Sequence, residues 1–435
     1  MRQNQCIGIF IVSTIIWVGF LNYFVIRLGN ANEENKKIFS KLNELEARLD
    51  EQLNDKTLHD ELKQVVGEQI NKTWHEQLTS ENKTDQELKI PHDKDAVAVL
   101  VFSCNRITVA RCLDQLIKYR KFKERFPIIV SQDCIHEQTS NVIESYKSQV
   151  YHVQQPDQSD IPVPPKERKF KGYFKIARHY KWALNLTFNH YQFDTVIVIE
   201  DDLDISPDFY EYFAATLPIL QKDKSLWCVS AWNDNGKLNL VDKNAINLLY
   251  RTDFFPGLGW MLTKSLWQEL VNKWPLSYWD DWMRRPEQRQ NRSCIRPEIS
   301  RTRTFGKIGV SNGMYYDKHL KYIYLNDKNA EFTQKNLTYL SKDVYDPNFL
   351  AVVYRSPVTT IQNLKNGEIY TDGPVRLVYH DKASLKIIAK SFGLMDDFRS
   401  GVPRTGYIGV ISFFYQKRRV FITPSAAWNG YDPTW

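Results

Sequence analysis

Apolar and polar positions divide the chain into three stretches of different character. Cys6 to Ile26 (CIGIFIVSTIIWVGFLNYFVI) holds one Asn and no charged residue. That length spans a bilayer as a helix. A cleaved signal peptide has a shorter apolar core and a small-residue cleavage site. No A-x-A-like site stands near Arg27, so a membrane anchor is expected. Residues 27–94 are rich in Glu, Lys, Asn and Gln, with Leu42, Leu45, Leu49, Leu53, Leu58 and Leu62 at roughly helical spacing. Gln52 and Lys56 interrupt any sustained heptad. This stretch reads as a partly helical stem; a plain solvated linker and a self-associating coiled coil both remain open. Pro91 and the charged run His92 to Asp95 close it.

From Ala96 the pattern alternates. Short β-branched runs at 96–104, 126–134, 150–155 and 195–202 read as strands, and amphipathic stretches at 108–121, 141–149 and 174–191 as helices. Repeated βα units predict a parallel, doubly wound α/β sheet. In such sheets ligands bind outside the carboxyl ends of the strands. Three strands end in charge there: Arg106 just past the first, Asp133 at the second, and Glu200, Asp201 and Asp202 at the fourth. Residues 203–343 mix short elements with many Trp and Pro. The remainder carries strands at 374–380, 407–415 and 419–424 and one helix at 381–393, a small α+β module. The expected organisation is a tail at 1–5, an anchor at 6–26, a stem at 27–94, a catalytic domain at 95–343 and a C-terminal domain at 344–435.

Composition sharpens this outline. With 435 residues, 43% hydrophobic and 25% charged, the chain can build a sizeable core. The formal net charge of +7 is not gathered into a basic helix or arm, which argues against nucleic acid. Five sequons (Asn71, Asn82, Asn185, Asn291, Asn336) follow the apolar span. If the strands ending at Cys104 and Cys134 are parallel neighbours, their sulfurs lie close; Cys228 and Cys294 can form a second bridge, leaving Cys112 free. Disulfides and sequons suit an oxidising lumen. The expectation is a type II protein with its bulk lumenal.

Neither a G-x-G-x-x-G turn, a P-loop nor a G-x-S-x-G elbow is present. What remains is VIVIEDD, a buried-strand pattern running into three acids. Adjacent carboxylates repel and are costly to bury unpaired. A hard divalent cation, Mg²⁺ or Mn²⁺, relieves that and commonly shares its shell with a nucleotide diphosphate. The competing reading is an acidic loop or a helix cap.

VIVIEDDLDISPDFYEYF resembles the metal motif of Golgi N-acetylglucosaminyltransferases of the GT-A fold. WCVSAWNDNG, YRTDFFPGLGW, WDDWMRRPEQR and RPEISRT are similar to segments of the N-acetylglucosaminyltransferase I family, in the same order from about Val97 to Trp435. The resemblance implies a GT-A catalytic domain in the Golgi membrane that uses Mn²⁺. It implies inverting transfer of GlcNAc from UDP-GlcNAc, in β-1,2 linkage, to the α1,3-linked mannose of a Man5 N-glycan core on a high-mannose glycoprotein. By the same resemblance Asp202 holds the metal, with Asp201 on the ribose side of the nucleotide sugar and Glu200 near the transferred sugar. Arg106 binds the diphosphate, Asp133 and His179 the uracil, and Ser311 a phosphate, from a loop (305–313) that orders over the donor. Asp280 is the general base. Alternation along a strand or loop turns Asp281 away, toward Arg284 or Arg285. Trp279 and Leu258 line the sugar pocket. Transfer to O-linked mannose is the alternative acceptor. A two-carboxylate glycoside hydrolase and a lectin-like binding protein are rivals from other classes.

Overall fold

The computed structural model describes residues 90, 92–307, 309–310, 313, 315–425 and 428–435. The expected anchor and nearly all of the stem lie outside the described residues. Among those described, no helix is long and apolar enough to cross a membrane.

Ten strands build the larger part: β1 (Ala98–Ser103), β2 (Ile128–Gln132), β3 (Tyr151–Gln154), β4 (Thr195–Glu200), β5 (Leu203–Ile205), β6 (Leu226–Ser230), β7 (Leu249–Thr252), β8 (Trp260–Thr263), β9 (Ser293–Pro297) and β10 (Thr302–Thr304). Eight of them form one sheet in the order β3-β2-β1-β4-β8-β6-β9-β7. Alternation of side chains along each strand divides the core in two. Val99, Val101, Ile197 and Ile199 join the cluster under helix Val109–Tyr119, which buries Val109, Cys112, Leu113 and Leu116. Ala98, Leu100, Val196 and Val198 face the other cluster with Ala177, Ala183 and Leu184 of helix Lys171–Asn185. Full burial of each such Val, Ile or Leu contributes about 1.5–3 kcal/mol, which ties these apolar runs to the sheet centre.

The β3-β2-β1-β4 half is parallel, as expected. The other half is not: β8 runs antiparallel to both β4 and β6, and β7 antiparallel to β9. The sheet is therefore mixed rather than purely parallel. No helix separates β6 from β7 or β7 from β8, so this stretch lacks the helical crossovers that keep strands parallel. β5 and β10 pair as a separate antiparallel ribbon directly after the acid cluster.

The C-terminal part holds β11 (Val375–Tyr379), β12 (Phe398–Arg399), β13 (Val402–Pro403), β14 (Ile411–Tyr415) and β15 (Arg418–Pro424), with β11-β15-β14 as its sheet. The expected helix is present at Lys382–Phe392, opened by an Asp381–Ser384 capping box and closed by Gly393 at φ 76°. Two further helices, Lys342–Arg355 and Ile361–Asn366, were not expected. The first carries Pro347 and buries only Tyr345 and Val353, so its periodicity is faint. Cys104–Cys134 and Cys228–Cys294 are bridged, with Cα atoms 5.0 and 4.6 Å apart, and Cys112 is free and buried.

Candidate active site

Strand register brings the charged ends together. Phe102 of β1 pairs with Glu200 of β4, and Ser103 with Gln132 of β2. Arg106, Asp133 and the acids of β4 therefore leave the sheet at three adjacent tips. Arg106 Nη1 lies 3.1 Å from Asp201 Oδ1 and 2.6 Å from Asp202 Oδ2. Ser103 Oγ donates to Asp201 Oδ2 at 3.2 Å, and the Tyr180 hydroxyl donates to Glu200 Oε1 at 3.0 Å. Burial, then the charge of Asp202, pushes the Glu200 carboxyl up to about 7. Burial pushes Asp201 up to about 6, with Arg106 opposing and Asp202 adding to the rise.

Three carboxylates face one guanidinium, so fully ionised they leave two negative charges uncompensated. Arg106 already sits between two of them as a single cation. The surplus charge and the hard oxygen donors fit a divalent metal ion. Among the described residues no group of three or more His, Cys, Asp or Glu is arranged to hold a metal. A cation here would take most of its shell from ligand or water.

The segment after β10 runs against this cluster. The Phe305 N–H donates to the Asp202 carbonyl at 2.9 Å. A Cβ on Gly306 would fall 2.0 Å from Asp202 Oδ2, and one on Gly309 3.2 Å from Arg106 Nη2. Only glycine permits this approach at 306. Ser311 lies outside the described residues.

At the tip of β2, Asp133 is buried and its Oδ1 has no hydrogen-bond partner. Burial pushes its carboxyl up to about 6 against the pull of Arg178 and Lys175. A buried acceptor without a protein donor can take an N–H or O–H from a ligand or from water. His179 is buried close by: its Nε2 shares a 2.7 Å hydrogen bond with Ser131 Oγ, and its ring meets the edge of Phe102. Burial drives its pKa down to about 3, so the ring is neutral.

An aromatic stack joins these tips to the WDDWM segment. Phe102 stacks on Tyr180 at 3.8 Å, Tyr180 on Trp279 at 4.4 Å, and Trp279 on Trp260 and Trp274. Trp279 is thus part of the buried stack. It begins a short helix, Trp279–Met283, rather than a strand or loop. At about 100° per residue, Asp280 and Asp281 are not sent to opposite faces. Both stay within reach of Arg284, whose Nη1 donates to Asp280 Oδ2 at 2.7 Å and to Asp281 Oδ1 at 2.8 Å. Asp281 is also bonded by Arg399 Nε at 2.7 Å, a partner 118 residues on. Tyr173 is half-buried beside this pair; burial, then the charge of Asp280, raises its pKa. Leu258 holds φ 49° between Gly257 and Gly259, both also at positive φ, and its carbonyl accepts from Thr302 Oγ1 at 2.6 Å. A non-glycine residue in that region is strained, and such strain gathers at functional sites.

Sequence reasoning missed Tyr180, Arg399 and Gly306. No local motif marks the first two, because both act on partners distant in the chain. Gly306 sits in a visibly glycine-rich loop, but its role depends on Asp202 beneath it.

The GNT-I family model matches residues 4–435. The chain belongs to the GNT-I family. A curated Arabidopsis thaliana relative, named alpha-1,3-mannosyl-glycoprotein 2-beta-N-acetylglucosaminyltransferase, is 39% identical over 336 residues, covering 75% of this chain and 73% of that protein. Likeness to solved structures is more distant. S. aureus TarS 1-349 is 13% identical with a TM-score of 0.33, covering 46% of this chain and 58% of that one. The same protein in complex with UDP-GlcNAc is 12% identical with a TM-score of 0.32, covering 59% and 66%. This chain spans less than two thirds of either.

Proposed function

We propose that this GNT-I family member is an inverting glycosyltransferase that moves GlcNAc from UDP-GlcNAc, in β-1,2 linkage, to the α1,3-linked mannose of the Man5GlcNAc2 N-glycan core of high-mannose glycoproteins. The observation that carries the reading is the meeting of three strand tips with unspent chemistry. Arg106 is a cation held between Asp201 and Asp202, Asp133 has a buried oxygen with no donor among the described residues, and the acids at the end of β4 would carry two surplus negative charges when all three ionise. Family membership and the Arabidopsis relative's name support the acceptor. A glycosidase needs two carboxylates about one bond and no nucleotide site, so neither Arg106 nor Asp133 would have a use there.

In this mechanism Asp133 accepts from the uracil imide N–H, and buried neutral His179 packs beside it. Arg106 swings from Asp202 to the diphosphate, where its planar fork binds two oxygens. Asp202 would hold Mn²⁺, with Asp201 and Glu200 arranged around ribose and transferred sugar. When bound, the metal supplies Lewis-acid neutralisation of the UDP leaving group. Asp280 takes the proton of the mannose 2-hydroxyl as it attacks, giving inversion in a single displacement. Leu258 and Trp279 shape the sugar pocket, and the loop bearing Ser311 closes over the phosphates. We further propose the organisation of tail 1–5, membrane anchor 6–26, stem 27–94, catalytic domain 95–343 and C-terminal domain 344–435, with the catalytic part in the Golgi lumen.

Two measurements test the reading. UDP titrated calorimetrically with and without Mn²⁺ should bind at least tenfold more tightly with the metal. Labelled GlcNAc should pass from UDP-GlcNAc to Man5 glycan and not to an O-mannosyl peptide. The reverse preference would assign the O-mannose acceptor instead, and metal-independent or absent UDP binding would sink the nucleotide site.

A further inference from the structure

We infer that Arg399, contributed by the C-terminal domain, is a positioning residue for Asp280. The inference rests on Asp280 being the base and gives the C-terminal domain a part in catalysis.

Arg284 is the shared member of the cluster. One nitrogen, Nη1, serves both Asp280 Oδ2 and Asp281 Oδ1. Its Nε is committed to the Phe255 carbonyl at 3.1 Å, so the guanidinium cannot follow either acid far. Arg399 Nε bonds the same Oδ1 of Asp281 that Arg284 bonds. Burial raises the Asp281 carboxyl, but Arg284 and Arg399 outweigh it and hold it below its ordinary value. With its charge met twice, Asp281 has no need to draw Arg284 away from Asp280. Without Arg399, Asp281 keeps only the Arg284 Nη1 that also bonds Asp280, so a shift of Asp281 moves that shared nitrogen and with it the Asp280 carboxylate.

Arg399 is itself held rigidly. It ends β12 of a hairpin whose two turn residues, Ser400 and Gly401, have φ of 47° and 81°. Positive φ at both positions marks a tight two-residue turn. A Cβ at Gly401 would meet the Asp432 carbonyl oxygen at 2.1 Å, so the C-terminal segment packs directly on that turn. Arg399 Nη1 donates to the Phe398 carbonyl at 2.9 Å and reaches Asp397 Oδ2 at 3.3 Å. Asp397 is in turn bonded by Arg404, which reaches Asp234 at 2.7 Å. The chain of alternating charge runs from Asp280 to Asp234. A catalytic group held through such a rigid support keeps the geometry its chemistry needs.

Magnitudes separate this role from a structural one. The Asp281 and Arg399 side chains are 44% and 29% exposed. A pair this open stabilises the fold little. Misplacing a catalytic group by an ångström costs about 100-fold in rate.

The test is a double-mutant cycle on the full-length enzyme with Arg399→Ala, Arg399→Lys, Asp280→Asn and Asp280→Asn/Arg399→Ala. We expect Arg399→Ala to lower kcat by up to about 100-fold, leaving KM for UDP-GlcNAc, UDP affinity and Tm nearly unchanged. Arg399→Lys should recover part of the loss. In the Asp280→Asn background, Arg399→Ala should cost nothing more, because its only route to the reaction is gone. An undiminished loss in that background, an unaffected kcat, or a loss that tracks a fall in Tm would overturn the inference. Wild-type transfer by Asp280→Asn alone would show instead that the base reading had failed, independently of Arg399.

Discussion

At the residue scale the acids divide by environment. Glu200 and Asp201 are pushed toward neutrality by burial, while Asp202 is less buried and, among the described residues, ion-paired with Arg106. Asp202→Ala should weaken Mn²⁺-dependent UDP binding at least tenfold in calorimetry; unchanged affinity would remove its proposed role. Asp280→Asn should lower kcat by about 10²–10⁴-fold, the range for loss of a general base, with UDP affinity intact; near-normal turnover would point to another base. Arg106, Asp133 and the three acids were legible because each ends an apolar run, and a run that ends in charge at a sheet edge is a ligand signal. Asp280 was legible only through the family resemblance. Its arginine contacts depend on a helical turn that two acids in sequence do not announce.

At the element scale the site depends on how helix Lys171–Asn185 packs on the sheet. His179 and Tyr180 are neighbours on that helix, yet one bonds Ser131 of β2 and the other Glu200 of β4. The helix therefore touches the tips of two strands separated by β1. His179 makes this packing sensitive to acid. Its folded pKa, about 3, lies below its ordinary 6.5. The folded state refuses a proton that the unfolded chain accepts, so this contribution is intact above pH 6.5 and falls as pH drops from 6.5 toward 3. At pH 5 the loss is about 2 kcal/mol. Urea unfolding of wild type and His179→Gln at pH 7.5 and pH 5 should show the gap between them narrowing by about that amount. A gap that does not change with pH would mean that the ring is protonated in the fold.

At the scale of the whole molecule, the C-terminal part is bound to the larger part through buried charge. Arg419 bonds Glu298 with two nitrogens at 2.8 and 3.1 Å. The Ile408 N–H and the Tyr431 hydroxyl both donate to Asp253 Oδ2, at 2.8 and 2.7 Å. Glu298 is 1% exposed and Asp253 7%. Stripping buried Glu298 of its Arg419 partner costs about 3–5 kcal/mol and each lost hydrogen bond to Asp253 about 1.5–3 kcal/mol, which together rival the stability of a typical domain, about 5–15 kcal/mol. A chain truncated after Arg355 should therefore fail to fold; a cooperative thermal melt from that fragment would show that the larger part stands alone. By itself the amino-acid sequence determined the strands and most helices of the first half, their parallel βα character and the charged strand tips, while both disulfide pairings stayed conditional until strand neighbours were known. The elements and the tips follow from local periodicity or from the ends of apolar runs. Tertiary structure alone decided the antiparallel direction of β7 and β8, the burial of Trp279 in a stack, the passage of Gly306 over Asp202 and the reach of Arg399 to Asp281. The physical reason is the same in each case. Strand direction, close approach and ion pairing are set by residues that meet across the chain, and no spacing along the sequence encodes which ones meet.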